Sequence, residues 1–375
     1  MHSGSGTGRD GRPRVVLLYG GRSSEHEVSC LTAASVLTAI DPRRYDVIPV
    51  GITRDGRWVL PDAPPAEGAG PSRSLPTVGD GVDVVLIPDP ARPALAACRP
   101  GSPPADLGAV DVVFPVLHGP GGEDGTVQGL LELSGVPYVG SGVFASAAGM
   151  DKGHMRELFR AAGLPLGPSV LVTAARWDAD PAGVHADVAA LGYPVFVKPA
   201  RAGSSIGISK VHEPSQLPAA LAQARAHDPR IVVEAAIAGR EVECGVLERP
   251  DRTGPAVSVV GELVVRADHE FYDYEAKYLD GSTSLCIPAD LPAPTVQQVQ
   301  TLALAAFEAL SCEGLARVDF FVTPDGGVLV NELNTMPGFT PTSMFPRLWA
   351  ACGLDYPSLV DQLLRTALAR PSGLR

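Results

Sequence analysis

Leu315-Ala-Arg-Val-Asp-Phe-Phe-Val322, Thr323-Pro-Asp-Gly326 and Gly327-Val-Leu-Val-Asn-Glu-Leu-Asn-Thr-Met-Pro-Gly338 read together as one hairpin. A Pro-Asp-Gly turn joins two apolar runs of strand length. Side chains alternate with period two, so Glu332 and Asn334 share a face while Asp319 stands on the adjacent strand. Both runs are otherwise apolar, so these carboxylates are half-buried and need a partner. Three hard oxygen ligands there suit Mg²⁺, which keeps several waters and is usually completed by phosphate oxygens. The bland alternative, a solvated polar face, fits the apolar surroundings poorly.

Upstream, Tyr193-Pro-Val-Phe-Val-Lys-Pro199 reads as a strand entering the Gly/Ser loop 201–207, with Ile208 to Val211 returning as its partner. Such a loop lets backbone N–H and hydroxyl groups approach phosphates. It is not a Walker A loop, because no Gly-Lys-Ser/Thr follows the glycines. A plain hairpin turn would look similar. The lysines add weight: only Lys152, Lys198, Lys210 and Lys277 stand among 30 basic residues. Arginine fills the surface, and a lysine's compact charge is not reproduced by the arginine fork. Lys210 reads as surface.

At the other end, Arg14 to Gly20, a helix from Val28 to Ile40 and a strand from Tyr45 to Ile52 form a βαβ unit. Ser24-Glu-His-Glu27 reads either as a capping box or as a carboxylate, Glu27, facing a bound ammonium. His118-Gly-Pro-Gly-Gly-Glu-Asp-Gly125 follows a strand over 110–117, where open α/β sheets bind small ligands. His118 reads equally well as a core or capping histidine. Phe271-Tyr-Asp-Tyr-Glu-Ala-Lys-Tyr278 reads as a surface helix or as a lid that excludes water. Residues 61–80 and 88–104 read as loops or insertions. The order of elements gives α/β and α+β domains over 12–141, 142–236 and 237–375.

The 375 residues, 45% hydrophobic, suffice for several cores. A net charge of −12 without a basic stripe argues against nucleic-acid binding. No apolar run spans a bilayer, and the Gly/Ser/Arg-rich Met1 to Arg14 lacks a signal-peptide core. Six scattered cysteines fit free thiols in a reducing cytosol rather than a disulfide frame or a zinc site. A cytoplasmic protein is expected.

These motifs resemble the D-alanine:D-alanine ligases of the ATP-grasp superfamily, over nearly the whole chain from Val15 to Leu368. The resemblance rests on residues 118–129, 198–207, the Tyr-Glu-Ala-Lys-Tyr lid and residues 331–338. It implies a three-domain ATP-grasp fold: an N-terminal parallel-sheet domain, a central hairpin-rich lid domain and a C-terminal mixed sheet. It implies ATP-dependent joining of two D-alanines for peptidoglycan precursors, and a homodimer. ATP is the co-substrate and two Mg²⁺ ions are implied, with Mn²⁺ as a substitute and room for a monovalent cation. Carried over by position, Lys152 and Lys198 hold phosphates, and Glu234 and Glu241 contact adenine and ribose. Asp319, Glu332 and Asn334 ligate metal, and Glu27 and His118 meet the first D-alanine. Arg317, Ser343 and Gly338 surround the second D-alanine and the intermediate. Lys277 reaches the γ-phosphate or the second carboxylate, and Ser204 and Tyr278 bond with Glu27 to close the lid. Met336 stands where serine is more usual, and Ala200 and Ala202 where polar residues are frequent.

The rival readings are D-serine or D-lactate as second substrate, another ATP-grasp carboxylate–amine ligase, a dinucleotide oxidoreductase and a non-catalytic nucleotide-binding regulator. Tyr19-Gly20-Gly21 lacks the Gly-x-Gly-x-x-Gly that the oxidoreductase needs. The intact acidic set argues against the regulator.

Overall fold

Strand β1 (Arg14–Gly20) is buried along its whole length and pairs in parallel with both β2 (Asp46–Ile52) and β7 (Val112–Pro115). Helix α1 (His26–Ala39) crosses between β1 and β2, as the βαβ reading requires. The computed structural model describes residues 11–65, 75–203, 206–265 and 283–370. The Ser204, Lys277 and Tyr278 assignments and the expected lid therefore lie outside the described residues.

The first sheet has seven strands in the order β6-β5-β4-β3-β2-β1-β7. Beyond β2 the pairing turns antiparallel through β3 (Trp58–Pro61), β4 (Gly81–Ile87), β5 (Ala94–Cys98) and β6 (Ala105–Ala109). The parallel character thus belongs to three strands, and the span 88–104, expected to be irregular, contains β5. Ala-Leu-Ala-Ala-Cys carries weak strand propensity, and pairing with β4 and β6 decides its state. Helices α2 (Thr126–Leu133), α3 (Val143–Met150) and α4 (Lys152–Ala161) follow.

The second sheet, antiparallel throughout, runs β10 (Ser209–Val211), β9 (Val195–Pro199), β11 (Arg230–Ala235), β8 (Ser169–Thr173). Helices α5 (Ala174–Ala179), α6 (Pro181–Leu191) and α7 (Leu217–Arg225) accompany it. Val184 and Val188 of α6 and Leu217 and Leu221 of α7 cover its apolar face.

The third sheet runs β14 (Thr283–Cys286), β13 (Ala256–Val265), β12 (Arg240–Leu247), β15 (Leu315–Val322), β16 (Val328–Asn334). Expected as mixed, it is antiparallel across these strands, with one isolated parallel bridge from Leu166 to Val330. Val242, Cys244, Val318, Phe320 and Val330 pack on Val299, Ala303 and Phe307 of α8 (Ala293–Ala309). Period two, with a bulge that leaves Asn331 between the paired Val330 and Glu332, then turns Glu241, Glu243, Arg317, Asp319, Glu332 and Asn334 to the opposite face.

One core joins the two ends of the chain. Val15, Leu17 and Val36 share it with Phe339, Phe345, Trp349 and Leu363, from the loop after β16, α9 (Met344–Ala351) and α10 (Tyr356–Leu368). The Phe114 and Phe339 rings stand edge to face at 6.0 Å, and Tyr356 donates to the Phe339 carbonyl at 2.7 Å. The loop that begins at Met336-Pro-Gly338 is thereby fixed beside the carboxyl end of β7.

Candidate active site

The charged face of the third sheet forms the floor. Asp319 and Glu332 are direct cross-strand partners, as are Arg317 and Asn334. Arg317 grips Asp319 with two hydrogen bonds of 2.7 Å, and Asn334 donates to Asp319 at 3.1 Å. Glu243 on β12 lies 2.9 Å from Arg317 Nε. Burial alone would weaken the guanidinium's hold on its proton, but Asp319 and Glu243 raise its pKa well above the usual range. Arg317 is a fixed cation between two carboxylates.

The second sheet and α4 supply the wall. Asp151 caps α4 by accepting from His154 N–H at 3.0 Å, which sets Lys152 at the helix start. The Lys152 N–H donates to the Ala200 carbonyl at 3.0 Å, and its ammonium lies 3.0 Å from the Ala202 carbonyl and 3.5 Å from Glu332. Lys198 on β9 meets Glu234 on β11 at 2.6 Å. Burial would lower the Lys198 pKa, but Glu234 and Glu332 hold it above normal, so it stays charged. Glu234 is held below the usual carboxylate range, because Lys198 and Arg156 outweigh the burial that would raise it.

The first domain supplies the roof. His118 is buried, with Nε2 3.3 Å from Thr32 Oγ1 and a hydrogen bond to the Met336 backbone. Burial depresses its pKa, against the opposing pull of Glu25, and leaves a neutral imidazole. Ser23 donates to the His118 carbonyl at 2.6 Å and accepts from Glu25 N–H at 3.1 Å. Glu25 is 7% exposed. Its carboxylate lies where side chains at Gly119 and Gly203 would stand: a β-carbon would come within 2.9 Å and 2.8 Å of Oε2. Glu123 accepts from Gly119 N–H, and burial and Glu25 together push its pKa up to about 8.

The structure sends the two glutamates of Ser24-Glu-His-Glu27 to different places. Glu27 pairs with Arg54, whereas Glu25 turns to the His118 and Gly203 loops. The helix advances about 100° per residue, so two positions inside one Ser-Glu-His-Glu run face different ways. The capping box does not form either, since α1 has Glu25 at its N-cap and no side-chain cap bond.

The other assignments fall near the floor. Ser343 stands at the N-cap position of α9 without a side-chain cap bond, and its Oγ lies 3.2 Å from where a β-carbon on Gly338 would be. Glu241 shares the face of β12 with Glu243 and pairs in register with Phe321. Sequence reading missed Glu25, Glu123, Glu243 and Arg156. Glu123 was visible inside the quoted glycine motif, and Glu243 by its two-residue offset from Glu241. Arg156 gave no signal.

Residues 14–141 match the family model described as the D-ala D-ala ligase N-terminus, and residues 158–365 match that of its C-terminus. The chain belongs to the D-alanine–D-alanine ligase family. A relative from Kineococcus radiotolerans named D-alanine–D-alanine ligase is 57% identical over 373 residues, spanning 97% of this chain and 99% of the relative. One of the same name from Streptomyces coelicolor is 54% identical, over 97% and 95%. Among solved structures, the VanG D-Ala:D-Ser ligase from Enterococcus faecalis superposes with a TM-score of 0.80 at 35% identity, over 95% of this chain and 99% of that one. The D-alanine–D-alanine ligase from Coxiella burnetii gives 0.79 at 34%, over 95% and 94%.

Ligases of this family use ATP and Mg²⁺. The donor set fits: two carboxylates and an amide, hard oxygen ligands with room for waters and phosphate oxygens. Among the described residues no group of three or more His, Cys, Asp or Glu gathers to hold an ion alone.

Proposed function

We infer that this chain joins two D-alanines into D-alanyl-D-alanine at the expense of ATP, through an acyl phosphate, for peptidoglycan precursor synthesis. The observation that carries this reading is the convergence of Lys152, Lys198, Arg317, Asp319 and Glu332 from two sheets and a helix around one floor.

Asp319, Glu332 and Asn334 would hold two Mg²⁺ ions, whose charge would neutralise the phosphates. Lys152 and Lys198 hold the phosphates, and Glu234 and Glu241 the adenine and ribose. Phosphoryl transfer depends mostly on such positioning and charge compensation. Glu25, in place of Glu27, faces the first D-alanine's ammonium. Neutral His118 stands beside it. The first D-alanine's carboxylate oxygen takes the γ-phosphoryl group and ADP leaves. The second D-alanine's amine then attacks the carbonyl, a proton departs, and phosphate is expelled. Arg317 and the Gly338 N–H face the oxyanion formed in between; one such donor is worth about 3–4 kcal/mol. Ser343 orients the second substrate. Lys277, Ser204 and Tyr278 close the lid by the family resemblance.

The three sheets support domains over 12–141, 142–236 and 237–375. No helix among the described residues is long and apolar enough to cross a membrane. A cytoplasmic homodimer is the assembly this reading expects. Phosphate release from ATP plus D-alanine as the sole amino acid, with Mg²⁺ present and then chelated, tests the reading. Release that does not depend on D-alanine would overturn it. Product analysis with D-alanine, D-serine and D-lactate in competition decides the second substrate.

A further inference from the structure

Arg156 is a charged residue of α4 with 4% exposure. Its fork is fully used: Nε donates to Ser169 Oγ at 2.9 Å, Nη1 to Glu234 Oε1 at 3.1 Å and Nη2 to the Gly167 carbonyl. The other oxygen of Glu234 lies 2.6 Å from Lys198 Nζ. One buried carboxylate is therefore shared by two cations on different elements. Only one of them is free to leave, because Ser169 and Gly167 tether Arg156.

Lys198 must turn from Glu234 to reach the phosphates of a nucleotide. A buried carboxylate stripped of its only cation is strongly destabilising. We propose that Arg156 is a positioning residue for the nucleotide: it keeps Glu234 compensated and aimed while Lys198 exchanges Glu234 for phosphate. The trio carries one net positive charge, and that surplus favours an arriving anion. This inference rests on the reading of Lys198 and Glu234 as ATP contacts.

Arg156→Met strands Glu234 with Lys198 and gives the pair no reason to open. The expected result is an ATP KM raised about tenfold or more, in line with charged hydrogen bonds, with D-alanine constants unmoved. Arg156→Lys keeps the charge without the fork and recovers part of the loss. In a Glu234→Gln background there is no carboxylate left to compensate, so adding Arg156→Met raises the ATP KM further by less than about threefold. A mere staple between α4 and residues 167–169 would lower Tm and impair all substrates together, by the same factor in the Glu234→Gln background. That outcome, or an unchanged ATP KM in Arg156→Met, overturns the proposal. If Arg156→Met does not fold, Arg156→Lys decides: an ATP KM equal to wild type overturns it, and a selective rise supports it. Wild-type phosphate release is measured first, so that loss of the enzyme reading is distinguished from loss of this one.

Discussion

The Glu25 carboxylate fills the space beside the Gly203 α-carbon, where a β-carbon would come within 2.8 Å of Oε2. A residue of the first sheet's helix start thus touches the glycine loop of the second sheet. Any side chain at position 203 would collide with that carboxylate, so the loop can lie this close to Glu25 only with glycine there. Glu25→Gln is expected to raise the KM for the first D-alanine about tenfold or more, since it removes a charged partner of an ammonium. Glu27→Gln is expected to change it by less than about threefold, because the Arg54 pair is open to solvent and such pairs contribute little. Initial-rate kinetics on both variants decide. Equal losses, or a larger loss at Glu27, would restore the assignment made from sequence.

Glu123 gives the protein a pH-dependent stability. Burial and then Glu25 raise its pKa to about 8 from an ordinary 4.5. Between those values the unfolded chain has lost the proton that the native state retains, so native stability falls as pH rises. Glu123→Gln keeps an oxygen for the Gly119 N–H but does not titrate. Denaturant midpoints at pH 5 and pH 8 should differ less in Glu123→Gln than in wild type. An identical pH trend in the two proteins would show that Glu123 ionises normally.

The hairpin over Leu315 to Asn334 was legible in the sequence, because turn chemistry and period-two alternation both act locally. The shared face of Asp319, Glu332 and Asn334 was legible for the same reason. Glu25 was not separable from Glu27, since which of the two turns inward depends on how α1 docks against β7 and the His118 loop. Arg156 was invisible: its partners Glu234 and Gly167 come from β11 and the turn before β8, and nothing periodic marks that meeting. Strand β5 was missed because Ala-Leu-Ala-Ala-Cys becomes a strand only by pairing with β4.

The Lys152 ammonium lies 3.5 Å from the Glu332 carboxylate. A bound phosphate would compete with Glu332 for that cation. Lys152→Ala is expected to raise the ATP KM and, by leaving Glu332 less compensated, to tighten the requirement for Mg²⁺ at low nucleotide. Titration of Mg²⁺ at fixed ATP reads both effects. Asp319→Asn should reduce kcat about a hundredfold or more, since it removes a proposed metal ligand and weakens the Arg317 clamp. Activity within tenfold of wild type would place the metal elsewhere.

Phe339 couples stability to the site. It is fully buried, with Phe114 at 6.0 Å, Phe345 at 6.0 Å and Tyr356 at 5.7 Å. It directly follows Gly338, whose N–H is aimed at the oxyanion in the proposed mechanism. Phe339→Ala removes a ring from the core shared by both ends of the chain and should cost about 3–5 kcal/mol. Phe339→Leu keeps most of the volume and should cost less, about 1 kcal/mol. Both variants loosen the loop that carries Gly338, so kcat should change more than the KM for ATP, whose proposed contacts Lys198 and Glu234 lie on the second sheet. Denaturation curves and steady-state kinetics on the two variants separate the effects. A loss of stability with kcat unchanged at a temperature where both remain folded would show that the Gly338 loop holds its place without this ring.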